Sequence, residues 1–185
     1  MENQNKNLDT NGGYQNEDVI WHQHSNKLML KILEYFSKGI PVIDLGCGHN
    51  WYCGVLEHFG YDAQGVDSVK LKGVDIIADI TNPLIVRRFM NVISLEVGEH
   101  IPNNLSSNYL DNLTSFKGDI IMSWAIEGQD GIGHINCRNN DWVIEQMKLR
   151  NYKLDEVKTL SMREAVADCN CSWFRNTLMY FTPCA

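Results

Sequence analysis

The spacing of hydrophobic residues changes at Pro41. Upstream of it, the apolar side chains recur at the intervals of one helix face, and they are Leu28, Met29, Ile32, Leu33 and Phe36. Such spacing is typical of an amphipathic helix. Ser25 is a residue type preferred at a helix N-cap and Gly39 one preferred at a helix stop, so the pattern predicts a helix between them.

Beyond Pro41, short apolar runs alternate with segments of helical length. The runs predict strands near residues 42–44, 63–66, 74–77, 92–95, 119–123, 154–160 and 177–181. The segments between them predict helices near 51–59, 84–89, 105–116 and 141–151. This alternation is typical of a parallel sheet covered by helices on both faces.

The first apolar run after Pro41 ends in an acid and a glycine turn, with Asp44 followed by Gly46 and Gly48. A second acid, Asp67, closes the next run. In open α/β sheets, ligands bind beyond the carboxyl ends of the strands, where glycines let the backbone approach a ligand and an acid can hold a ribose. The pattern therefore predicts a nucleotide-type cradle at this edge of the sheet.

Other interpretations of these residues stay open. A dinucleotide site would need a third glycine where Trp51 stands, and Asp44 is foreign to that fingerprint, so a nicotinamide enzyme is disfavoured. The two glycines could also make a simple tight turn, and Asp67 could cap a helix.

The segment resembles motif I of the class I S-adenosylmethionine (SAM)-dependent methyltransferases, which runs acid-x-Gly-x-Gly-x-Gly. Asp44, Gly46 and Gly48 match it, and Asn50 replaces the last glycine. Asn is the residue other than glycine that best tolerates a left-handed backbone. The resemblance implies that SAM is the cofactor and S-adenosylhomocysteine the product.

Three further segments match the same family in the same order. Asp67 matches the acid that holds the ribose hydroxyls, and Asp79 matches the position that lines the adenine. Residues 93–102 resemble the fourth-strand motif of these enzymes. The cofactor-binding residues that the resemblance implies are Asp44, Gly46, Cys47, Gly48, Asp67, Ser68, Asp79, Ile80 and Glu96.

The resemblance also implies the architecture. We expect a three-layer, Rossmann-like α/β fold with a seven-stranded, mostly parallel sheet in the order 3-2-1-4-5-7-6, its last strand antiparallel. Residues 118–124 fit the fifth strand and 175–181 the last. The chain then divides into a polar, flexible segment at 1–18 and a single domain at 19–185, which could itself be part of a larger protein.

Composition narrows the class of partner. The chain has 185 residues, a net charge of −7 and only Arg87-Arg88 as a basic spot, so we expect no nucleic-acid partner. We find no apolar stretch long enough to span a bilayer and no signal-peptide pattern, and we expect no membrane partner and a cytoplasmic location. The six cysteines form no CxxC pair and are expected to be reduced thiols. No metal-ligating residues are predicted, because Cys169-x-Cys171 and His22-x-His24 are weak patterns.

Candidate catalytic residues follow the fourth and fifth strands. Glu99 and His100 come directly after strand four, and the polar loop 125–136 after strand five contains His134. We predict His134 as general base, His100 as the second candidate and Glu99 beside them. Alternatively, His134 makes a structural hydrogen bond to a loop carbonyl, and His100 lies beside the cofactor without transferring a proton. Trp21, His22 and His24 could cap the site.

The acceptor is predicted from the polar loop and from the absence of an inserted lid. These features suit an open pocket and a hydroxyl-rich acceptor, and residues 123–136 also resemble compact methyltransferase domains of glycan-building systems. The leading hypothesis is O-methylation of a sugar hydroxyl on a glycan, with a carbohydrate or other hydroxyl-bearing molecule as partner. A small-molecule or protein acceptor is the alternative, and a non-catalytic SAM-binding module is the alternative of another class.

Overall fold

A computed structural model describes residues 23–85 and 90–184. Several sequence predictions concern residues outside these ranges: the flexible segment 1–18, the possible caps Trp21 and His22, the pair Arg87-Arg88 and most of the predicted helix 84–89. No helix in the described ranges combines the length and hydrophobicity that a membrane crossing requires.

The sheet has seven strands in the predicted order. They are β1 (Val42–Leu45), β2 (Ala63–Asp67), β3 (Ile76–Ile77), β4 (Met90–Ser94), β5 (Lys117–Met122), β6 (Tyr152–Leu154) and β7 (Met179–Pro183). The spatial order is β3-β2-β1-β4-β5-β7-β6, and β7 runs antiparallel to both of its neighbours. The other neighbouring strands are parallel, which confirms the predicted Rossmann-like sheet.

Helices cover both faces of the sheet. They are α1 (Asn26–Tyr35), α2 (Trp51–His58), α3 (Ser106–Ser115), α4 (Asn140–Lys148), α5 (Glu156–Ala165) and α6 (Phe174–Thr177), with short 3-10 turns at Gly98–His100 and Asn103–Leu105. One buried cluster joins the sheet to α3 and α4, and a second joins it to α1, α2 and α5. The fold therefore has the three layers that were predicted.

The start of α1 is as predicted, but its end is not. The Ser25 hydroxyl accepts a hydrogen bond from the Leu28 N–H at 3.2 Å, which makes Ser25 the N-cap. The helix ends at Tyr35, because Phe36 already has an extended backbone. Gly39 therefore does not stop the helix.

The predicted strand at 154–160 is wrong beyond its first residue. The Asp155 carboxylate accepts from the Lys158 N–H at 3.0 Å and caps α5, so the chain turns into a helix at Glu156. Val157 and Leu160, which suggested a strand, are exposed on that helix. The last strand likewise begins at Met179, because Thr177 ends α6.

The parallel register brings the ends of four strands to one edge. In register, Asp44 of β1 lies beside Gly65 of β2 and Ile93 of β4, and Ser94 at the end of β4 lies beside Met122 at the end of β5. The segments that follow β1, β2, β4 and β5 therefore leave the sheet on the same side.

Candidate active site

A cavity of about 520 Å³ opens at the carboxyl edge of the sheet. Its walls come from the loop after β1, the segment after β4, the loop after β5, the start of α2 and the residues before α1 and α6. The volume lies in the range of small-molecule sites, which is roughly 300–1,000 Å³.

The glycine loop after β1 has the left-handed backbone that its sequence predicts. Gly46 and Gly48 have φ values of 80° and 54°, and Asn50 has a φ of 57° in the place of the third glycine. A Cβ on Gly46 would lie 2.5 Å from a Val97 methyl, so the loop has no room for a side chain there. The N–H groups of Gly46 and Cys47 both donate to the Val66 carbonyl, which ties the loop to β2.

Asp67 holds the glycine loop from the end of β2. Its carboxylate accepts from the Gly48 N–H at 2.9 Å and from the Val69 N–H at 3.0 Å. Burial raises the pKa of Asp67, and these backbone hydrogen bonds oppose the rise. A carboxylate has about four acceptor positions, so two backbone donors leave capacity for the hydroxyls of a ligand.

Asp44 lies at the cavity and is 3% exposed. Burial raises its pKa to about 8, and the nearby charge of Asp67 contributes to the rise. The side chain is therefore largely protonated near neutral pH. A carboxyl in this state donates a hydrogen bond as well as accepting one.

The structure brings only part of the predicted cofactor set to the cavity. The predicted residues that line it are Asp44, Gly46, Cys47 and Glu96. Asp79 instead accepts from the Thr81 backbone and hydroxyl and from the Asn82 amide, and Ile80 is buried in the core. The lining also excludes Gly48, Asp67 and Ser68, and the cofactor roles of all five residues stay predictions.

Glu96 connects three segments around the cavity. Its side chain accepts from the Gln129 amide at 2.9 Å and from the Thr177 hydroxyl at 3.3 Å. Its own N–H donates to the Ser123 hydroxyl at 2.8 Å, and its backbone is left-handed with a φ of 55°. Left-handed residues other than glycine are held in place only by surrounding contacts and are typical of functional sites.

Glu99, His100 and His134, the three predicted catalytic residues, form one cluster. One ligand atom from each lies within 4.8 Å of the others, and His134 Nε2 is 3.9 Å from Glu99 Oε1. The two imidazole rings are 5.2 Å apart and nearly perpendicular. Both histidines line the cavity, so the structure brings the predicted catalytic residues to the predicted cofactor loop.

Glu99 is fully buried, and neither carboxyl oxygen has a hydrogen-bond partner among the described residues. Burial raises its pKa well above the usual value, and the neighbouring charge of Glu96 raises it further. The backbone N–H groups of Glu99 and Ala125 oppose the rise, although neither meets the geometry of a hydrogen bond to the carboxyl. Buried polar atoms almost always have partners in folded proteins, so an unpartnered carboxyl requires an explanation.

Backbone carbonyls orient both histidines. His134 Nδ1 lies 3.0 Å from the Gln129 carbonyl, and His100 Nδ1 lies 3.1 Å from the Gly133 carbonyl. A carbonyl can only accept, so each Nδ1 is assigned the hydrogen. The structural hydrogen bond that was the alternative for His134 is therefore present, while its Nε2 faces Glu99.

Asn136 organises the site, and sequence reasoning did not single it out. Its amide donates to the Ile101 carbonyl at 2.9 Å and to the Ser106 hydroxyl at 2.8 Å, and its carbonyl accepts from Trp124 Nε1 at 2.7 Å. Its N–H donates to the Glu99 carbonyl at 2.9 Å. A polar residue in a polar loop gives no sequence signal for such a role.

The residues before α1 also reach the cavity. His24 stacks on Trp51 with the ring centroids 4.0 Å apart, and both line the cavity. That this part of the chain caps the site stays a prediction, since Trp21 and His22 lie outside the described ranges.

No protein-family model matches the chain, and no curated protein matches it significantly. Solved structures do match its fold. One is the 1,6-didemethyltoxoflavin-N1-methyltransferase of Burkholderia thailandensis with bound S-adenosylhomocysteine, with a TM-score of 0.61 and 11% identity over 86% of this chain and 77% of that one.

Two other methyltransferase structures also match the fold of this chain. A TehB-like SAM-dependent methyltransferase from Corynebacterium glutamicum matches with a TM-score of 0.60 and 15% identity, over 87% of this chain and 89% of that one. The magnesium protoporphyrin IX methyltransferase of Synechocystis with bound SAM matches with a TM-score of 0.55 and 16% identity, over 69% and 66%. Together with the strand order, these likenesses lead to one conclusion: the chain has the fold of the class I SAM-dependent methyltransferases.

Proposed function

We propose that this protein is a SAM-dependent methyltransferase that transfers a methyl group to a hydroxyl of a carbohydrate, with a sugar of a glycan as the favoured acceptor. The observation that carries the proposal is that one cavity is lined both by the glycine loop after β1 and by the two histidines of the Glu99–His100–His134 cluster.

The residues around the glycine loop fit SAM. The left-handed turn at Gly46 and Gly48 leaves room for backbone to approach a ligand, and Asp67 keeps free acceptor capacity at the end of β2. Trp173 lines the same cavity, and its indole N–H has no hydrogen-bond partner among the described residues, so it can donate to a bound molecule.

The class of methyl acceptor is proposed from the ionisable residues at the cavity, which belong to the Glu99–His100–His134 cluster. SAM, when bound, supplies a methyl group already activated on a sulfonium. A lone pair of the acceptor oxygen forms the new bond to carbon, the carbon–sulfur bond breaks with its electrons moving to sulfur, and the hydroxyl proton must leave. An amine acceptor that is already neutral has a nucleophilic lone pair and needs no base in the transition state. A cluster of ionisable groups at the cavity therefore favours a hydroxyl.

His134 as a lone general base stays a prediction. Both of its ring nitrogens face protein groups, Nδ1 the Gln129 carbonyl and Nε2 the Glu99 carboxyl. We therefore assign removal of the proton to the cluster as a whole, with His100 as the other histidine at the cavity.

The cavity wall supports a carbohydrate. It combines the aromatic rings of Trp51 and Trp173 with the polar side chains of Gln23, Gln129 and Asp130. Aromatic faces suit the C–H faces of a sugar ring and polar groups suit its hydroxyls. The net charge of −7 favours an uncharged acceptor over a nucleic acid. A cytoplasmic location and membership of a larger protein stay predictions.

The first experiment measures thermal stabilisation by S-adenosylhomocysteine, with NAD in parallel. We expect stabilisation by S-adenosylhomocysteine alone, worth about 2.7 kcal/mol at 100 times its dissociation constant. Stabilisation by NAD alone would contradict the proposal.

The second experiment identifies the acceptor. The protein is incubated with methyl-labelled SAM and a panel of oligosaccharides, simple alcohols, amines and proteins, and the methylated atom is located by mass spectrometry. An O-methylated sugar is the expected product. Transfer only to an amine or a protein would overturn the acceptor, and S-adenosylhomocysteine binding without any transfer would select the non-catalytic module instead.

A further inference from the structure

The buried Glu99 carboxyl and the two histidines beside it form a cluster of the kind that can hold a cation. The Glu99 carboxyl oxygens are buried without a hydrogen-bond partner among the described residues, and His134 Nε2 lies 3.9 Å from one of them. A buried carboxyl without hydrogen-bond partners is costly when it is ionised, and either protonation or a bound cation removes that cost. His100 belongs to the same cluster, with ligand atoms of all three residues within 4.8 Å.

The two histidines have the support that metal-binding histidines usually have. Such a histidine donates its other ring N–H to a carbonyl or carboxylate, which fixes the ring and its tautomer. Here, the Gln129 carbonyl holds His134 Nδ1, and the Gly133 carbonyl holds His100 Nδ1. The Gln129 amide also donates to Glu96, so one residue fixes both a histidine and the acid beside the cluster.

We propose that Glu99, His100 and His134 bind a divalent transition-metal ion at the cavity, and that this ion receives the hydroxyl oxygen of the acceptor. Metal–nitrogen bonds of about 2.0–2.1 Å place the ligands of a tetrahedral ion about 3.4 Å apart. The observed 3.9 Å between His134 Nε2 and Glu99 Oε1 and the limit of 4.8 Å for the other ligand pairs require inward movements of about 0.5–1.4 Å. Three protein ligands leave a coordination position open, as in catalytic sites.

The ligand types select the class of ion. Imidazole nitrogens suit zinc, iron and similar first-row ions, whereas sites for magnesium and calcium consist mainly of oxygen ligands. One carboxylate and two imidazoles therefore favour a transition-metal ion.

This inference rests on the proposed function for its chemical role. A bound cation makes an oxygen ligand more acidic, as zinc does for water, whose pKa it lowers to about 7. The acceptor hydroxyl can then release its proton to solvent water, and its oxygen lone pair attacks the methyl carbon. In this arrangement His134 is a metal ligand and not the general base.

Direct metal binding tests the site without any methyl transfer. Untagged protein is stripped with a chelator and titrated with Co²⁺, and binding is followed by calorimetry and by the visible absorption of the ion. We expect about one Co²⁺ per chain, with a spectrum typical of nitrogen and oxygen ligands. Glu99→Gln and His134→Gln should each weaken binding about tenfold or more.

Matched control variants distinguish Co²⁺ binding at the Glu99–His100–His134 cluster from binding to exposed acids and histidines elsewhere. Glu127→Gln and His58→Gln change an exposed acid and an exposed histidine outside the cluster and should bind Co²⁺ like the wild type. Far-UV circular dichroism and a cooperative thermal transition check that the Glu99 and His134 variants still fold. If these variants do not fold, the test is NMR of the wild-type protein with Co²⁺. The paramagnetic ion should broaden the ring signals of His100 and His134.

The outcomes distinguish the metal site from the proposed function. Absence of Co²⁺ binding by the wild type, equal binding by the folded variants, or broadening of other histidines instead would overturn the site. Co²⁺ binding lost in the Glu99 and His134 variants, in a protein that transfers no methyl group, would uphold the site and overturn the function. Methyl transfer that persists after chelation, in a protein that binds no Co²⁺, would uphold the function and overturn the metal site.

Discussion

The Gly48 N–H donates to Oδ2 of Asp67 across 2.9 Å, so the acid at the end of β2 fixes the loop that follows β1. The same carboxylate accepts from Val69 and has capacity for further donors. Two predicted cofactor residues are thus linked before any ligand is bound, and this link pre-organises the cradle.

Asp67→Ala should weaken binding of S-adenosylhomocysteine. The variant loses both the hydrogen bond that holds Gly48 and the acceptor for ligand hydroxyls, and hydrogen bonds to charged groups are worth about 1.5–3 kcal/mol. We expect affinity to fall roughly tenfold to a hundredfold in calorimetry, while the far-UV circular dichroism is retained. Unchanged affinity in a folded variant would remove Asp67 from the ribose role.

Asp44 should make stability depend on pH. Its pKa is raised to about 8 from an ordinary value of 3.8, because it is buried and Asp67 lies nearby. Between these values the folded protein holds a proton that the unfolded chain releases, so the free energy of unfolding falls as pH rises through this window. The free-energy cost of ionising the buried Asp44 is fully present above about pH 8 and absent below about pH 4.

Urea unfolding of Asp44→Asn measures this contribution. Because asparagine does not titrate, the variant should gain a few kcal/mol relative to wild type as pH is raised from about 5 to about 8. Asp141→Asn, at an exposed position, should follow the wild-type profile. A constant difference between Asp44→Asn and wild type would show that Asp44 titrates normally.

Gly98→Ala should destabilise the fold. A Cβ on Gly98 would lie 2.3 Å from the ring of Trp124, which is fully buried and held by its hydrogen bond to the Asn136 carbonyl. Overpacking of this kind costs about 1–3 kcal/mol. The free energy of unfolding, measured in denaturant, should fall by that amount.

Gly54→Ala is the opposite control. Gly54 is an exposed residue of α2, and a Cβ there would meet no heavy atom within 4 Å. Replacing a helix-interior glycine by alanine should raise the free energy of unfolding by about 0.5–1 kcal/mol. Equal effects of the two substitutions would contradict the packing of Gly98 against Trp124.

Asn136→Asp should also be destabilising. The Asn136 amide donates to the Ile101 carbonyl and the Ser106 hydroxyl, whereas an ionised aspartate has no donor and would repel the carbonyl. The Arg138 guanidinium, which donates to Asn136 Oδ1 at 2.9 Å, offsets part of this cost, so we expect a loss of about 1–3 kcal/mol, measured by thermal or urea unfolding. Asn108→Asp, at an exposed position of α3, should stay within about 0.5 kcal/mol of wild type.

The fold could be predicted largely because its local signals agree with each other. Apolar runs separated by helical lengths indicated the parallel sheet, Ser25 indicated the start of α1, and Asn50 adopts the left-handed backbone that its place in the glycine motif requires. The error at 154–160 arose because the cap at Asp155 outweighed a strand-like run of residues.

The site could be predicted only in part. The glycine loop and the acids at strand ends are local sequence patterns, so the sequence predicted them. It also predicted that Glu99 follows β4 and that His134 follows β5. Their contact at 3.9 Å depends on the register of β4 against β5 and on Asn136, which joins the loop after β5 to the Glu99 segment. Because the three cluster residues do not form one short motif, the sequence did not indicate that they would meet.

The position of β7 has a consequence for the order in which the sheet assembles. β7 lies between β5 and β6, yet it is the last of the seven strands to leave the ribosome. Until residues 179–183 emerge, the backbone N–H and C=O groups along one edge of β5 are unpaired and β6 lacks its neighbour. An open strand edge is a template for pairing with another chain, so slow synthesis of residues 179–183 should favour aggregation of nascent chains.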